Sequence, residues 1–331
     1  MVQGRKRPKY SILKTIPAHF DPDDSTSDLW KLHDKLLEEY PKLEAEEDSG
    51  KRRPQPTKSF LDLKIELAKR IMRGCHLCER RCGVDRSKAQ GWCQLGSDFH
   101  ISSAFLHMGE EPELVPSGTI FTIGCNLRCL HCQNWTISQR IEQGDKMSPQ
   151  QMAKVVEQLS RQGCRNINMV GGDPTPWLPN WLETFRHVTV ESPTVWNSNT
   201  YYSVESAKLL AGFADVYLLD FKYGSDACAV RLSSAPGYVE ACQRNHLWGQ
   251  KYGELIIRVL VLPEHLECCC RPILNWISKN LGPETRVNIM WQYRPEWRAW
   301  EVPELKRRLT SAERKLSLTI AEEAGLKNYI T

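Results

Sequence analysis

The sequence predicts an α/β fold in which a parallel sheet is covered by helices. Six short segments are rich in β-branched residues, and several are apolar on both faces, as in the strands of a buried parallel sheet. Helical segments follow the strands, and this alternation predicts either an open doubly wound sheet or an incomplete barrel. The predicted strands are GTIFTIG (118–124), NINMVGG (166–172), PTVWNSN (193–199), ADVYLLDFK (214–222), ELIIRVLVLP (254–263) and RVNIMWQY (286–293). The predicted helices lie near residues 148–162, 179–187, 203–211, 226–245, 268–280 and 310–325.

Composition and charge limit the kind of protein this can be. The chain has 331 residues, of which 41% are hydrophobic and 25% charged, values typical of a globular protein of one or two domains. The net charge of +4 arises from 44 basic and 40 acidic residues, so no nucleic-acid partner is expected. No segment approaches the roughly 20 apolar residues that cross a bilayer, so no membrane partner is expected either.

The cysteine content indicates metal sites. The first residues, MVQGRKRPKYSILK, lack the apolar core of a secretory signal, so we expect a cytoplasmic protein in which thiols stay reduced. In that compartment the 13 cysteines are explained more readily by metal binding than by disulfides.

The residues before the first predicted strand divide into an extension and a cysteine-rich segment. Leucines at helical spacing predict a helix over residues 28–47, and a second helix is predicted over 60–72 with Ser59 as its N-cap. The basic segment KRRPQPTK (51–58) is predicted to be a solvated linker. The predicted units are a helical and linker extension (1–73), a four-cysteine module (74–100), the strand–helix domain (101–310) and a C-terminal helix (311–331).

Polar residues gather where the predicted strands end. Because the active sites of parallel α/β proteins lie at the carboxyl ends of the strands, these residues are candidates for ligand binding. They are Gly171, Gly172, Asp173, Asn197, Ser198, Asn199, Asp220, Lys222 and Gln292.

Three cysteines follow the first predicted strand directly. Cys125, Cys129 and Cys132 are separated by three and two residues, and thiols at this density commonly hold an iron–sulfur cluster or zinc. Zinc usually takes paired CxxC motifs, and no fourth cysteine lies nearby, so zinc fits this spacing poorly. Three thiolates on a four-iron cluster leave one iron open for a substrate or cofactor. The alternative, three unligated buried thiols, would be prone to oxidation.

This arrangement resembles a known family. A Cx3CxxC motif after the first strand of a six-unit β/α chain resembles the signature of the radical S-adenosylmethionine (SAM) enzymes, and GGDPTPW after the second strand is similar to their Gly-Gly-acid motif. Four further segments look like the branch related to pyruvate formate-lyase activating enzyme. They are GEEPELVPSGTIFTIGCNLRCLHCQNWTIS, VWNSNTYYS, DFKYGSDACAVRLS and NIMWQYRP. The resemblance covers roughly residues 74–309 and leaves out the N-terminal extension.

The resemblance implies a partial (β/α)6 barrel of the TIM type and a particular oxidoreductase chemistry. The three cysteines would hold a [4Fe–4S] cluster whose open iron chelates the amino and carboxylate groups of SAM. One electron from the reduced cluster would cleave a carbon–sulfur bond, and the resulting 5′-deoxyadenosyl radical would take a hydrogen atom from the substrate. The implied partners are a one-electron donor of the flavodoxin or ferredoxin type and a protein substrate such as a glycyl-radical enzyme.

The resemblance also implies roles for the residues after the second strand. Gly171 and Gly172 would let the backbone approach the methionyl group of SAM, and Asp173 would accept a hydrogen bond from its ammonium group. The family more often has Glu at the position of Asp173, so the reach is shorter here by one methylene. The alternative is a tight strand-to-helix turn capped by Asp173.

Six further side chains are predicted to bind cofactor. Asn197, Asn199, Asp220, Lys222 and Arg258 are candidates for the SAM carboxylate, the ribose or the substrate, although each could instead be a solvated or structural group. His131 precedes the third cysteine, where the family commonly has an aromatic residue that packs on adenine. An imidazole could stack in the same way, and the alternative is an exposed loop histidine.

A second group of four cysteines lies upstream, in CHLCERRCGVDRSKAQGWC. Cys75, Cys78, Cys82 and Cys93 could complete a closed zinc site or hold a second iron–sulfur cluster, and the spacing does not separate the two. The alternative is structural thiols with a redox pair at Cys75 and Cys78.

The remaining cysteines are predicted to be unligated. Cys164, Cys228 and Cys242 are expected to be buried apolar side chains. The run 268–270 consists of three consecutive cysteines, and neighbours on a helix point about 100° apart, so these are expected to be free thiols that do not share a metal ion.

Two other functions are compatible with these observations. One is radical SAM modification of a small molecule or peptide, including methylation. The other is a non-catalytic iron–sulfur or zinc protein for electron transfer, although an electron carrier does not need the Gly-Gly-Asp motif or the polar strand ends.

Overall fold

The computed structural model describes residues 6–141 and 144–331, and a mixed sheet forms its centre. The described strands are β1 His100–His107, β2 Ser117–Thr122, β3 Asp145–Lys146, β4 Asn166–Gly171, β5 Thr194–Ser198, β6 Val216–Asp220, β7 Glu254–Leu260, β8 Arg286–Met290 and β9 Tyr329–Ile330. Their spatial order is β3-β1-β2-β4-β5-β6-β7-β8-β9. Strand β1 pairs antiparallel with β2 and β3, and every other pair is parallel.

The prediction of an α/β fold is confirmed. All six predicted strands are present as β2, β4, β5, β6, β7 and β8, and they lie side by side in chain order. A doubly wound sheet would require the strand order to reverse at one point, so that alternative is wrong. The three strands that the sequence did not predict, β1, β3 and β9, extend the sheet at its two edges.

The helices confirm several predicted boundaries and change others. The described α-helices are α1 Lys9–Leu13, α2 Thr26–Asp48, α3 Phe60–Met72, α4 Trp135–Ser138, α5 Pro149–Arg161, α6 Leu178–His187, α7 Val204–Leu210, α8 Asp226–Ser233, α9 Tyr238–Tyr252, α10 Arg271–Asn280 and α11 Ser311–Glu323. Helix α3 has its predicted bounds, and Ser59 forms a capping box with Asp62.

The single helix predicted over 226–245 is wrong. The chain forms α8 and α9 instead, because Ser234 (φ 51°) and Gly237 (φ 65°) adopt left-handed conformations that interrupt the helical hydrogen bonding. A π-helical turn, Leu266–Cys270, precedes α10 at the position of the helix predicted over 268–280.

The N-terminal extension packs against the sheet domain. Tyr10 and Phe60 are completely buried, and the Tyr10 ring centroid lies 4.7 Å from that of Phe185 on α6. The backbone N–H of Lys9 donates to Asp215 Oδ1 over 2.9 Å just before β6. Residues 51–58 are mostly exposed, as predicted for the linker. No helix in the described ranges is both long and apolar enough to cross a membrane.

Candidate functional site

One cavity at the carboxyl ends of the parallel strands brings the predicted site residues together. Its lining contains residues that follow β2, β4, β5 and β6 in the chain, and residues of β7 and β8 close it. The predicted residues in this lining are Cys125, Cys129, His131, Cys132, Gly171, Gly172, Asp173, Asn197, Asn199, Asp220, Lys222 and Arg258. Ser198 and Gln292, predicted from their positions at strand ends, also line it.

The distances between the sulfur atoms of Cys125, Cys129 and Cys132 indicate whether they could bind one metal ion or a cluster. A single zinc ion with bonds of about 2.3 Å would draw its thiolates to within about 4 Å of one another. The sulfur atoms of Cys125, Cys129 and Cys132 are not all within 4.8 Å of one another in the described structure. The donor set therefore fits a cluster of several metal ions better than it fits a single ion.

Each of the three thiols has a polar partner. Asn199 Nδ2 donates to Cys125 Sγ over 3.4 Å, and Ser233 Oγ donates to Cys129 Sγ over 2.9 Å. Cys132 Sγ lies 3.0 Å from the hydroxyl of Ser138 at the end of α4. Hydrogen bonds to cluster sulfurs stabilise negative charge there and help to set the reduction potential.

Burial keeps the thiols of Cys125 and Cys129 protonated in the absence of a cation. It raises the pKa of Cys125 well above the usual range and the pKa of Cys129 to about 11, although the positive charge of Lys222 acts in the opposite direction on Cys129. A bound metal centre would supply the positive charge that thiolate formation needs.

His131 is buried at the cavity wall, so the alternative of an exposed loop histidine is wrong. Only 4% of the residue is exposed, and its Nε2 lies 2.9 Å from the hydroxyl of Tyr223. That hydroxyl lies 2.5 Å from Ser233 Oγ, which in turn bonds to Cys129. Burial lowers the pKa of His131 to about 3, so the imidazole is neutral at physiological pH.

The two glycines are required by the contact between β4 and β2. A Cβ atom on Gly171, which has a φ of 138°, would lie 2.1 Å from Thr122 O. A Cβ atom on Gly172 would lie 2.0 Å from Gly124 O. The N–H groups of Gly172 and Asp173 donate to these same two carbonyl groups over 2.9 and 3.0 Å. The close approach that the structure shows is between two backbone segments, and the approach of this backbone to SAM stays a prediction.

Asp173 is buried, and its carboxylate is bonded within the protein. Oδ2 accepts hydrogen bonds from Ser198 Oγ (3.0 Å) and Asn199 N (2.8 Å), and Oδ1 accepts one from Thr175 N (2.9 Å). Burial raises the pKa of Asp173, while these hydrogen bonds act to lower it. Three bonds leave about one of the four acceptor positions of the carboxylate for a ligand. Asp173 thus fixes the end of β5 and caps the turn that follows β4.

Asp220 and Lys222 form an ion pair after β6. Lys222 Nζ lies 2.6 Å from Asp220 Oδ2. Burial acts to lower the pKa of Lys222, but the negative charge of Asp220 and its hydrogen bond with the ammonium group outweigh this effect and raise that pKa overall. The ammonium group therefore stays charged at the cavity wall, where it could pair with an anionic ligand.

Arg258 on β7 is held by two acidic residues that the sequence reasoning did not select. Its Nε and Nη2 donate to the two carboxylate oxygens of Glu111, each over 2.7 Å, and Nη2 also pairs with Glu110. Nη1 lies 3.5 Å from Asn197 Oδ1. Burial acts to lower the pKa of Arg258, but its bonds with these carboxylates raise it overall. Most of its donors are therefore already used, and little of the guanidinium is left for an anionic ligand.

These carboxylates bond to several strands at once. Glu111 also accepts a hydrogen bond from Asn288 Nδ2 (2.8 Å) on β8, and Glu110 accepts one from Asn168 Nδ2 (2.9 Å) on β4. The only signal in the sequence was the position of both residues in the segment GEEPELVP, which carried the family resemblance without a role. Tyr223 and Ser233 had the same kind of signal, since both lie in the resembling segment DFKYGSDACAVRLS and neither was given a role.

The upstream cysteines line a second, smaller cavity. Cys75, Cys78, Cys82 and Cys93 all contribute to its wall, yet within the described structure no three of their sulfur atoms are mutually within 4.8 Å. A short cation–π contact closes this segment, since the guanidinium carbon of Arg80 lies 4.4 Å from the centre of the Trp92 ring. The sequence left zinc and an iron–sulfur cluster open for this group, and its sulfurs are not grouped as closely as the ligands of a single ion would be.

The second cavity lies against the three-cysteine loop. Arg80 Nε donates to Asn126 O over 2.9 Å, and the guanidinium of Arg128 bonds to Trp92 O. A Cβ atom on Gly124 would fall 2.4 Å from Leu95 Cδ1, so the two cysteine-bearing segments are packed directly together.

A parallel α/β sheet with a three-cysteine loop beside a Gly-Gly-Asp turn defines a class of iron–sulfur enzymes. The sequence model of the Radical SAM superfamily matches residues 119–273, and this part of the chain belongs to the superfamily. It is 43% identical over 326 residues to the uncharacterized protein MJ0674 of Methanocaldococcus jannaschii, covering 96% of this chain and 94% of the relative. It is 24% identical over 280 residues to MJ0808 of the same organism, covering 76% and 79%.

Two solved structures resemble the chain more distantly. SuiB of Streptococcus suis bound to S-adenosylmethionine gives a TM-score of 0.45 at 15% identity over 62% of this chain, which spans 48% of the SuiB chain. Methylornithine synthase (PylB) gives a TM-score of 0.44 at 13% identity, covering 92% of this chain and 81% of that protein.

Membership of the superfamily establishes the cofactors. The protein is a radical SAM enzyme that uses a [4Fe–4S] cluster and SAM, as predicted, and enzymes of this kind need a one-electron donor.

Proposed function

We propose that Cys125, Cys129 and Cys132 hold the [4Fe–4S] cluster and that SAM binds beside it in the same cavity. The observation that carries this assignment is the composition of the cavity wall. Among the described lining residues there are three thiols, and there is no fourth cysteine. Three thiolates leave one iron of a four-iron cluster without a protein ligand, and this is the position that SAM needs.

When bound together, the reduced cluster and SAM supply one-electron cleavage of SAM and abstraction of a hydrogen atom from the substrate. The chain's own residues bind and orient the ligand, and they keep water out of the cavity. Lys222 offers a charged donor to an anionic group of the ligand, while Asn197 and Gln292 offer amides at neighbouring strand ends. The apolar lining comes from Leu127, Val170, Leu260 and Met290. Such side chains keep water away from a reactive intermediate.

Two features of the fold belong to the same proposal. The six parallel strands in chain order support a partial (β/α)6 barrel whose mouth is the cavity. Residues 74–100 would form a cysteine-rich module beside that mouth. The thiols of Cys75, Cys78, Cys82 and Cys93 share one cavity at separations wider than a single ion requires, which favours a second iron–sulfur cluster over zinc.

For the substrate, we propose a protein whose glycine loses a hydrogen atom, as in the activating enzymes that the motifs resemble. The resembling segments VWNSNTYYS and DFKYGSDACAVRLS contribute Asn199, Asp220, Lys222 and Ser233 to the cavity or its hydrogen bonds. A flavodoxin or ferredoxin in the cytoplasm would donate the electron. The rival, modification or methylation of a small molecule or peptide, uses the same cofactors and cavity.

The cluster assignment is tested by electron paramagnetic resonance of the anaerobically reconstituted, reduced protein. We expect addition of SAM to change the spectrum of the wild type, because SAM becomes a ligand of the open iron. Cys129→Ala should lose the SAM-responsive signal, whereas Cys164→Ala, which alters a half-buried thiol outside the cavity, should keep it. A SAM-responsive signal that persists in Cys129→Ala would contradict the assignment.

The substrate class is tested by isotope transfer. A candidate glycyl-radical protein is prepared with deuterated glycine and incubated with the enzyme, SAM and a reductant. Deuterium in the released 5′-deoxyadenosine supports a protein substrate. If deuterium is transferred from a labelled small molecule or short peptide and never from the protein, the rival holds.

A further inference from the structure

A compact group of metal-binding side chains lies outside the cavity. Cys228 on α8 faces His265, Cys268 and Cys269, which follow β7. The four ligand atoms are all within 4.8 Å of one another, and among the residues that the structure describes this is the one such group. We propose that these four side chains bind a single zinc ion.

The distances within the group match those of a tetrahedral site. With zinc–sulfur bonds of about 2.3 Å and zinc–nitrogen bonds of about 2.0 Å, two thiolates would lie about 3.8 Å apart, and a thiolate and an imidazole nitrogen about 3.5 Å apart. The Cys228–Cys268 and Cys268–Cys269 sulfur separations are 3.7 and 3.9 Å. His265 Nδ1 lies 3.6, 3.3 and 4.0 Å from the sulfurs of Cys228, Cys268 and Cys269.

The types of ligand and their spacing favour a single zinc ion over an iron–sulfur cluster. Three thiols and one imidazole are a common composition for a structural zinc site, and with four protein ligands the coordination is closed. A four-iron cluster needs its thiolates farther apart, because the cluster occupies the space between them. Three of the four residues are buried, so solvent has little access to complete a larger coordination sphere.

The backbone conformation explains how two consecutive cysteines could bind the same ion. Residues 266–270 form a π-helical turn in which His265 O accepts hydrogen bonds from the N–H groups of both Cys269 and Cys270. In this wide turn the sulfurs of Cys268 and Cys269 point to the same side, so the expectation that neighbouring cysteines in this run stay apart is wrong for this pair. Cys270 is 2% exposed, packs into the core and remains outside the group.

The imidazole of His265 is oriented for metal binding. Its Nδ1 faces the thiols, while Nε2 lies 3.5 Å from Glu304 Oε1 and 3.2 Å from Arg231 Nη2. In the zinc-bound form Nε2 would carry the proton and donate it to Glu304, which leaves the lone pair of Nδ1 for the metal, and Arg231 would direct its N–H groups to Glu304 and not to Nε2. Arg231 also pairs with Glu304 over 2.6 Å, and its charge offsets the net negative charge of zinc with three thiolates.

Zinc at this position would join two parts of the enzyme. Cys228 lies on the same helix, α8, as Ser233, which donates to Cys129 Sγ over 2.9 Å. His265 and the two cysteines belong to the segment between β7 and α10. The ion would therefore fix α8 against that segment and hold Ser233 beside the three-cysteine loop.

Zinc analysis of the anaerobically purified full-length protein tests this proposal. Cys268→Ala is the informative variant, because the Cys268 side chain is exposed and its removal opens little space in the core. The matched control is Cys270→Ala, in the same run but outside the group. Any zinc bound elsewhere in the chain is common to all three proteins and cancels in the comparison. We expect Cys268→Ala to contain one zinc ion per chain fewer than the wild type and Cys270→Ala to contain the wild-type amount. Equal zinc content in the wild type and Cys268→Ala would overturn the proposal.

A second measurement needs no substitution. An exposed thiol is normally alkylated quickly, but a zinc-bound thiolate is protected. We expect mass spectrometry of the native wild type to show slow alkylation of Cys268 by iodoacetamide and fast alkylation after a chelator removes zinc. Equally fast alkylation before and after chelation would show that no ion occupies the site.

Discussion

Ser233 donates a hydrogen bond of 2.9 Å to the sulfur of Cys129, joining α8 to the loop that follows β2. The hydroxyl of Tyr223 lies 2.5 Å from Ser233 Oγ, and His131 Nε2 lies 2.9 Å from that hydroxyl. Because the serine proton points to sulfur, Tyr223 must donate to Ser233, and neutral His131 must donate to Tyr223. Four residues thus form one directed chain that ends on a predicted cluster ligand.

Loss of this hydrogen bond should make the cluster harder to reduce. In Ser233→Ala the Cys129 sulfur loses a donor that stabilises the more negative, reduced cluster. A differential hydrogen-bond energy of about 1 kcal/mol corresponds to about 40 mV for one electron, so we expect the potential to fall by about that amount. A redox titration followed by electron paramagnetic resonance measures it.

Tyr223→Phe provides the graded comparison for Ser233→Ala. It removes the next hydroxyl of the chain and leaves the Ser233–Cys129 bond in place. The potential should fall by less than in Ser233→Ala. Equal potentials in the wild type and Ser233→Ala would show that the bond has no electrostatic effect on the cluster.

His131 should make the apoprotein sensitive to acid. Burial lowers its pKa to about 3 in the folded chain, from about 6.5 when unfolded. Below pH 6.5 the unfolded chain binds a proton that the folded chain does not, so this contribution to stability is lost as the pH falls toward 3. In His131→Phe the free energy of unfolding should fall less steeply between pH 6 and 4, by about 1.4 kcal/mol per pH unit. Denaturant titrations at several pH values measure both slopes, and parallel slopes would contradict the prediction.

Gly172→Ala should destabilise the fold strongly. The added Cβ would lie 2.0 Å from the carbonyl oxygen of Gly124, and this backbone atom cannot move away easily because it also accepts a hydrogen bond from the N–H of Asp173. We expect a loss of about 3 kcal/mol or more in urea unfolding. Gly74→Ala is the control, since its Cβ would meet nothing closer than 4.0 Å and should change stability by less than about 1 kcal/mol. Similar losses in the two variants would argue against the steric explanation.

Arg258→Met should also be strongly destabilising. It leaves the side chains of Glu110 and Glu111, which are 5% and 0% exposed, without a cationic partner. Breaking a buried pair in this way typically costs about 3–5 kcal/mol. Arg271→Met removes a guanidinium that pairs with two exposed glutamates, Glu267 and Glu323, and should cost less than about 1 kcal/mol. A loss for Arg258→Met no larger than this control would leave Arg258 free for the ligand-binding role that its sequence position suggested.

The sequence predicted the features that depend on local periodicity and spacing. Six strands and the exact bounds of α3 follow from such patterns, and so does the convergence of Cys125, Asp173 and Lys222, because parallel strands end at one edge of the sheet. The four-cysteine segment could be recognised as a unit, yet its sulfur separations could not be read from spacing alone.

Interactions between segments that lie far apart in the chain could not be predicted from these patterns. Ser233 lies 104 residues from Cys129, inside a segment predicted as one continuous helix, whereas in the structure it is the last residue of α8 and bonds to the thiol. Glu111 lies 147 residues from Arg258. Helical geometry likewise suggested that Cys268 and Cys269 diverge, and only the π-helical turn brings their sulfurs together.

The most direct test of the central claim is the release of 5′-deoxyadenosine from SAM by the reduced, reconstituted protein. The wild type and Cys164→Ala should form it, and a Cys125/Cys129/Cys132→Ala variant should not, even when the upstream cysteines are intact. Formation of 5′-deoxyadenosine by that triple variant, or its absence from the cluster-loaded wild type, would contradict the assignment of this cavity as the site of SAM cleavage.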